Sequence, residues 1–132
     1  MRDDCNLHKN IELKAVSDEF CGKIRIACPN SHSIKPHVEE VWSFVGETDI
    51  YIMATVTIQL ESHCGDNCSP FVVSVFFGDD CCKKDLTFIN QHETKSITVK
   101  DLRRVIAKCP PSQSKDRGIC KAKYHIKANY LI

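Results

Sequence analysis

The sequence predicts a mostly β protein: an antiparallel two-sheet β-sandwich, disulfide-stapled, with one or two short helices. Three observations carry this. Between Ile50 and Leu60, the residues Ile50, Ile52, Ala54, Val56, Ile58 and Leu60 alternate with Tyr51, Met53, Thr55, Thr57 and Gln59. Period two held that long places six apolar side chains on one side of a strand, whereas a helix would scatter them around its girth. The stretch closing the chain repeats the pattern, with Ala122, Tyr124, Ile126, Ala128, Tyr130 and Ile132 against Lys121, Lys123, His125, Lys127, Asn129 and Leu131. Faces this apolar must be covered, and a second sheet is the natural cover. The third observation is nine cysteines in 132 residues.

Taking the chain in order, Ile11, Leu13 and Ala15 alternate with Glu12 and Lys14, which predicts a short strand. Cys21-Gly22 breaks it, and Ile24 and Ile26 alternate with Lys23 and Arg25 before Cys28-Pro29-Asn30 closes the segment. A Cys21–Cys28 bridge would staple this small hairpin. Val38, Val41, Trp42 and Val45 then fall at helical spacing, with Pro36 ahead and Gly46 behind, so a short amphipathic helix anchored by Trp42 is expected. After the Ile50–Leu60 strand, Ser62 to Pro70 is rich in turn formers. Phe71, Val73, Val75 and Phe77 follow on one face, with Val72, Ser74 and Phe76 on the other. A strand this apolar belongs inside a sheet, and the pair is expected to form an antiparallel hairpin. Leu86–Ile89 and Ser96–Val99 predict two more strands. Lys100–Lys108 is read both ways, because Leu102, Val105 and Ile106 have helical spacing while Val105-Ile106-Ala107 suits a strand. Cys109-Pro110-Pro111 ends it, and Ser112 to Gly118 is loop. About seven alternating strands favour antiparallel pairing and an immunoglobulin-like sandwich.

Residues 1–132 are expected to form a single domain, long enough for a core. A net charge of +1 makes no electrostatic case for nucleic acid or an anionic membrane. No apolar run approaches the length of a bilayer span. Met1-Arg2-Asp3-Asp4 lacks the apolar core of a signal peptide. The cysteine content nonetheless favours a secreted protein whose leader has been removed. Asn67-Cys68-Ser69 matches the glycosylation sequon, pointing to a glycoprotein.

Nine is odd, so one sulfur is left over for a thiol or for a bond to another chain, which makes a dimer conceivable. The expected disulfide set draws on Cys5, Cys21, Cys28, Cys64, Cys68, Cys81, Cys82, Cys109 and Cys120, each bridge being worth about 2–4 kcal/mol. Cys5 and Cys120 adjoin the terminal strands, and a bridge between them would close nearly the whole chain. Zinc on Cys64, Cys68, Cys81 and Cys82, with His63 nearby, is disfavoured because vicinal cysteines point apart. No metal or cofactor is therefore expected.

Six histidines show no metalloenzyme spacing, and no nucleophile elbow, phosphate-binding loop or dinucleotide fingerprint is present, so the chain is not expected to be an enzyme. Lys121, Lys123 and Lys127 make a basic stripe, read first as a solvated face or guarded edge and second as a dock for an acidic partner. Ile52, Val56, Phe71, Phe77, Tyr124 and Tyr130 on the inner faces are simplest as core. They could also line a ligand-binding cavity between splayed sheets.

The cysteine order resembles that of the ML (lipid-recognition) family of β-sandwiches. Asp4-Cys5 leads into a first strand at Ile11 to Ala15, Cys21 and Cys28 follow it, and Gly118-Ile119-Cys120 opens the final strand. The Cys-Pro-Leu-like segment of many members is replaced by Cys82-Lys83-Lys84. The resemblance implies Cys5–Cys120 and Cys21–Cys28 pairs, a third pair among Cys64, Cys68, Cys81 and Cys82, and a lipid or other apolar ligand held between the sheets. A second reading is a secreted signalling protein that meets a receptor. Cys64-Gly65 with Cys68, vicinal Cys81-Cys82 and Cys109 faintly resemble cystine-knot growth factors, and the odd cysteine suits a disulfide-linked dimer.

Overall fold

A computed structural model describes residues 10–11, 15–28, 37–43, 51–62, 70–78, 81–109 and 119–131. Among these residues there are nine strands: β1 (Asn10–Ile11), β2 (Ala15–Ala27), β3 (His37–Ser43), β4 (Tyr51–Ser62), β5 (Phe71–Phe77), β6 (Cys82–Phe88), β7 (Thr94–Lys100), β8 (Leu102–Cys109) and β9 (Ile119–Leu131). They form two antiparallel sheets. One runs β1-β2-β9-β4-β7, with β1 a two-residue edge, and the other β3-β8-β5-β6.

The β-sandwich is thus as expected, but its wiring is not immunoglobulin-like. Among the described strands, only β1–β2 and β5–β6 are sequence neighbours that pair, and each other successive pair of strands lies in opposite sheets. That is the strand order of a jelly roll, in which two antiparallel sheets share successive strands. The expected hairpin between β4 and β5 does not form: β4 lies in the first sheet and β5 in the second, paired with β6 and β8. Both strands are apolar enough to be interior, so each sits at the middle of a different sheet.

Alternation decides which side of each strand turns inward. Ala54, Val56, Ile58 and Leu60 of β4 are buried, and the intervening Met53, Thr55, Thr57 and Gln59 are not. Ile126 of β9 lies opposite Val56, and Phe71, Val73 and Val75 of β5 face them from the second sheet. The long closing strand β9 runs between β2 and β4, so its basic face belongs to an interior strand and guards no edge. Cys21-Gly22 does not break the chain either: β2 continues through it as thirteen residues paired with β9.

No helix occurs among the described residues. The expected helix at Val38–Val45 is strand β3, as far as Ser43. Its pairing with β8 shifts between Glu40 and Trp42, so Val41 is an extra, bulged residue. A bulge adds one residue to a period of two and turns it locally into a spacing of three. Leu102 and Val105 in β8 have the same origin, since pairing with β5 moves from Arg104 to Leu102 across one residue step and leaves Arg103 as the extra. Both inward side chains then reach the core, fully buried.

Two tight links steer the crossovers. From β6 to β7, His92 takes positive φ, its N–H donates to Leu60 O at 2.8 Å, and Leu60 N–H donates to Glu93 O at 2.9 Å. From β7 to β8 the chain changes sheets through Asp101 alone, also at positive φ, with its carboxylate 2.8 Å from Arg103 Nη2.

Candidate functional site: two groups of sulfurs

The chemically reactive side chains gather in two places. At one end of the sandwich, Cys28 follows β2, Cys109 ends β8 and Cys120 is the second residue of β9. Cys28 and Cys109 form a disulfide with Cα atoms 5.2 Å apart, linking the first sheet to the second across 81 residues of sequence. Cys120 Sγ lies 3.0 Å from Cys109 Sγ and 3.2 Å from Cys28 Sγ, and all three residues are buried. His37 lies opposite Cys109 in the β3–β8 pairing, and its Nδ1 is 2.8 Å from Ala27 O, beside Cys28. The three sulfurs therefore stand where strands from both sheets converge.

This overturns the expected Cys21–Cys28 bridge. Cys21 is disulfide-bonded, but Cys28 is taken by Cys109. Cys21 lies on the outer face of β2, opposite His125, whereas Cys28 points into the core. Strand parity separates the two: residues an odd number apart on one continuous strand face opposite ways. Cys5, the expected partner of Cys120, lies outside the described residues, as do Cys64 and Cys68. A signal for the observed pair was available, since Cys28 and Cys109 each sit before a proline at the end of a strand.

The second group is exposed. Gly78 at positive φ opens a turn closed by Cys81 N–H donating to Gly78 O at 3.0 Å, and Cys81 and Cys82 follow at the mouth of β6. Their sulfurs are 2.9 Å apart without being bonded to one another, and both residues are exposed. Strand β6 is an edge of its sheet and carries exposed Lys83 and Lys84 next to them.

The residues expected to line a ligand cavity do not act as one group. Val56 and Phe71 are fully buried core, while Phe77 and Tyr124 are partly buried around it. Ile52 and Tyr130 lie opposite each other in the β4–β9 pairing, and their side chains fall outside the description. On the outer face of the first sheet, the basic stripe is partly neutralised. Lys123 Nζ is 3.9 Å from Glu61, and His125 Nε2 is 3.2 Å from Glu19, leaving Lys121 and Lys127 exposed. Among the described residues, no helix is long and apolar enough to cross a membrane.

The model of the endospore appendage family, the Enas, matches residues 5–132. The chain belongs to this family. Membership overturns the resemblance to ML proteins, and with it the lipid-carrier reading; the signalling reading and the glycoprotein expectation go the same way. Asn67 of the sequon lies outside the described residues. A solved structure of Bacillus endospore appendages, described as a novel family of disulfide-linked pili, aligns with this Ena-family chain at TM-score 0.60 and 13% identity, over 98% of each chain. At that identity the likeness is one of fold. No curated protein sequence matches.

Proposed function

We propose that the protein is a structural, non-catalytic subunit of a disulfide-linked, pilus-like appendage on the endospore exterior, in which copies of this chain bond to one another. Family membership over residues 5–132 is the first support. The observation that carries the reading is the exposed pair at Cys81 and Cys82, with the thiol of Cys82 at the surface beside an edge strand. An odd cysteine count also leaves at least one sulfur that cannot pair inside the chain. A jelly roll suits such a subunit. Its stiffness comes from two packed sheets, and β3, β6 and β7, edges among the described strands, offer places where another chain can lie alongside. Each intermolecular bond converts two thiols into one disulfide and passes two electrons and two protons to an oxidant such as dioxygen.

The test is electrophoresis of the oxidised protein without reductant, together with negative-stain microscopy. The expected result is a ladder of covalent multimers and fibres, with the ladder collapsing on reduction and shortening in the Cys81→Ser/Cys82→Ser variant. An oxidised wild-type protein that stays monomeric, or a ladder unchanged in the double variant, overturns this reading.

A further inference from the structure

We propose that the outer face of the first sheet is a docking surface for the phosphate backbone of duplex DNA, centred on Lys23, Arg25, Lys121 and Lys123. In the β2–β9 pairing Lys23 lies directly opposite Lys123, and Arg25 directly opposite Lys121. Ile24, Ile26, Cys120 and Ala122 between them are buried, so alternation turns all four cations outward. Lys23, Arg25 and Lys121 are exposed, and Lys123 is half-buried with Glu61 at 3.9 Å. Like charges directly opposite one another destabilise a sheet, and here two such pairs stand in successive rows. Strand geometry sets the cations about 5 Å apart across the pair and about 7 Å apart along it. A duplex relieves that repulsion, because it brings one negative charge for every ~1.7 Å of its axis.

The face around the four is of the same sign. Among the described residues its outward positions carry six Lys and Arg side chains, the other two being Lys100 and Lys127, against the carboxylates of Glu19 and Glu61. The whole chain carries only +1, so the total conceals a one-sided distribution, and a charged partner meets the local field. The row of Lys23 and Lys123 continues with Gln59 of β4 and Thr94 of β7, and Ser62 lies opposite Lys121. Ammonium, guanidinium, amide and hydroxyl groups are the usual contacts to phosphate oxygens.

Composition selects this partner over others. The cores of protein interfaces are enriched in Tyr, Trp and Phe and depleted in Lys and Ser, and no Phe, Tyr or Trp stands among the described side chains of this face. The same lack disfavours single strands, whose bases stack on aromatic rings, and membranes, into which an interfacial element buries an apolar side. Protein–DNA interfaces are polar and strongly positive. A flat face with no element entering a groove reads no base sequence, so binding is to the backbone and falls with salt. This inference does not rest on the assembly reading, since the four cations lie in the first sheet, whereas Cys81 and Cys82 stand at the mouth of β6 in the second.

The test uses the full-length protein, its smallest species isolated by size exclusion, and a fluorescein-labelled duplex of about 20 base pairs, read by anisotropy across about 25–200 mM NaCl. Binding should be detectable at the lowest salt, and log K should fall linearly with log salt, with a slope of about −3 to −4 for four neutralised phosphates. Lys23→Gln/Lys121→Gln should weaken binding about tenfold or more at the lowest salt and reduce the slope by about 2. Lys83→Gln/Lys84→Gln removes the same charge from an exposed strand of the other sheet and should leave both values nearly unchanged. No binding at the lowest salt, or an equal loss in the two double variants, overturns the proposal. So does tighter binding of polyglutamate, of a single-stranded oligonucleotide of the same length or of phosphatidylglycerol vesicles than of the duplex. If a variant does not fold, the salt slope and the order of competitors for the wild type still decide it. Multimer formation is a separate readout, so failure here leaves the assembly reading standing.

Discussion

Tyr124 closes over Gly22. A Cβ added at position 22 would meet Cε2 and Oη of the tyrosine at 2.8 Å, and the two residues lie opposite each other in the β2–β9 pairing. Glycine in mid-strand is ordinarily a weakness, and here its missing side chain is the space the ring occupies. Gly22→Ala should displace the ring, whereas the same change in a Tyr124→Ala background should be tolerated. A double-mutant cycle by urea unfolding is expected to give a coupling of about 1 kcal/mol. Additive effects would mean the ring swings aside without cost.

The Cys28–Cys109 bridge ties the two sheets across 81 residues. Replacing both with serine should lower stability by about 2–4 kcal/mol, chiefly by freeing the unfolded chain. Chemical denaturation of the double variant against wild type measures this. An unchanged midpoint would show that the bridge adds nothing to the sandwich.

Phe88 is fully buried at the end of β6, with its ring centroid 6.1 Å from that of Phe71 and Lys95 Nζ 5.7 Å from its centre. Phe88→Ala should cost about 3–5 kcal/mol through lost burial and the cavity left behind. Phe88→Leu should restore most of that. The comparison by thermal or urea unfolding fails if both variants lose the same amount.

Glu93 holds the β6–β7 link by accepting from the N–H of Ile89 at 3.0 Å and of Asn90 at 3.3 Å. These bonds, aided by Lys95, place its pKa below the ordinary 4.5. A lowered folded-state pKa means the stabilisation is present above the unfolded value and is lost as pH falls through the folded one. Amide exchange at Ile89 and Asn90 should therefore quicken, relative to the intrinsic rate, only below about pH 4.5. Glu93→Gln should remove that acid dependence. A dependence that survives the substitution would assign it to another group.

Much of the fold was legible from periodicity. The inward set Ala54, Val56, Ile58 and Leu60 and the long closing strand follow from alternation alone, because one buried face needs period two. The bulged strands were not legible in this way. One extra residue at Val41 and one at Arg103 gave β3 and β8 a helix-like spacing, and only the register of neighbouring strands exposes the bulges. Sulfur pairing was legible as an inventory but not as a map. Cys21 and Cys28 are close in sequence yet point to opposite faces of β2, and Cys109 comes from the other sheet.

By itself, then, the order of residues determined a disulfide-bearing antiparallel sandwich and which side of each regular strand is buried, since these depend on local alternation and composition. Only the tertiary structure decided that successive strands swap sheets, that three distant cysteines share one buried corner, and that a vicinal pair stands exposed. Those are relations between strands far apart in sequence, and pairing energy between strands leaves no periodic trace along either one.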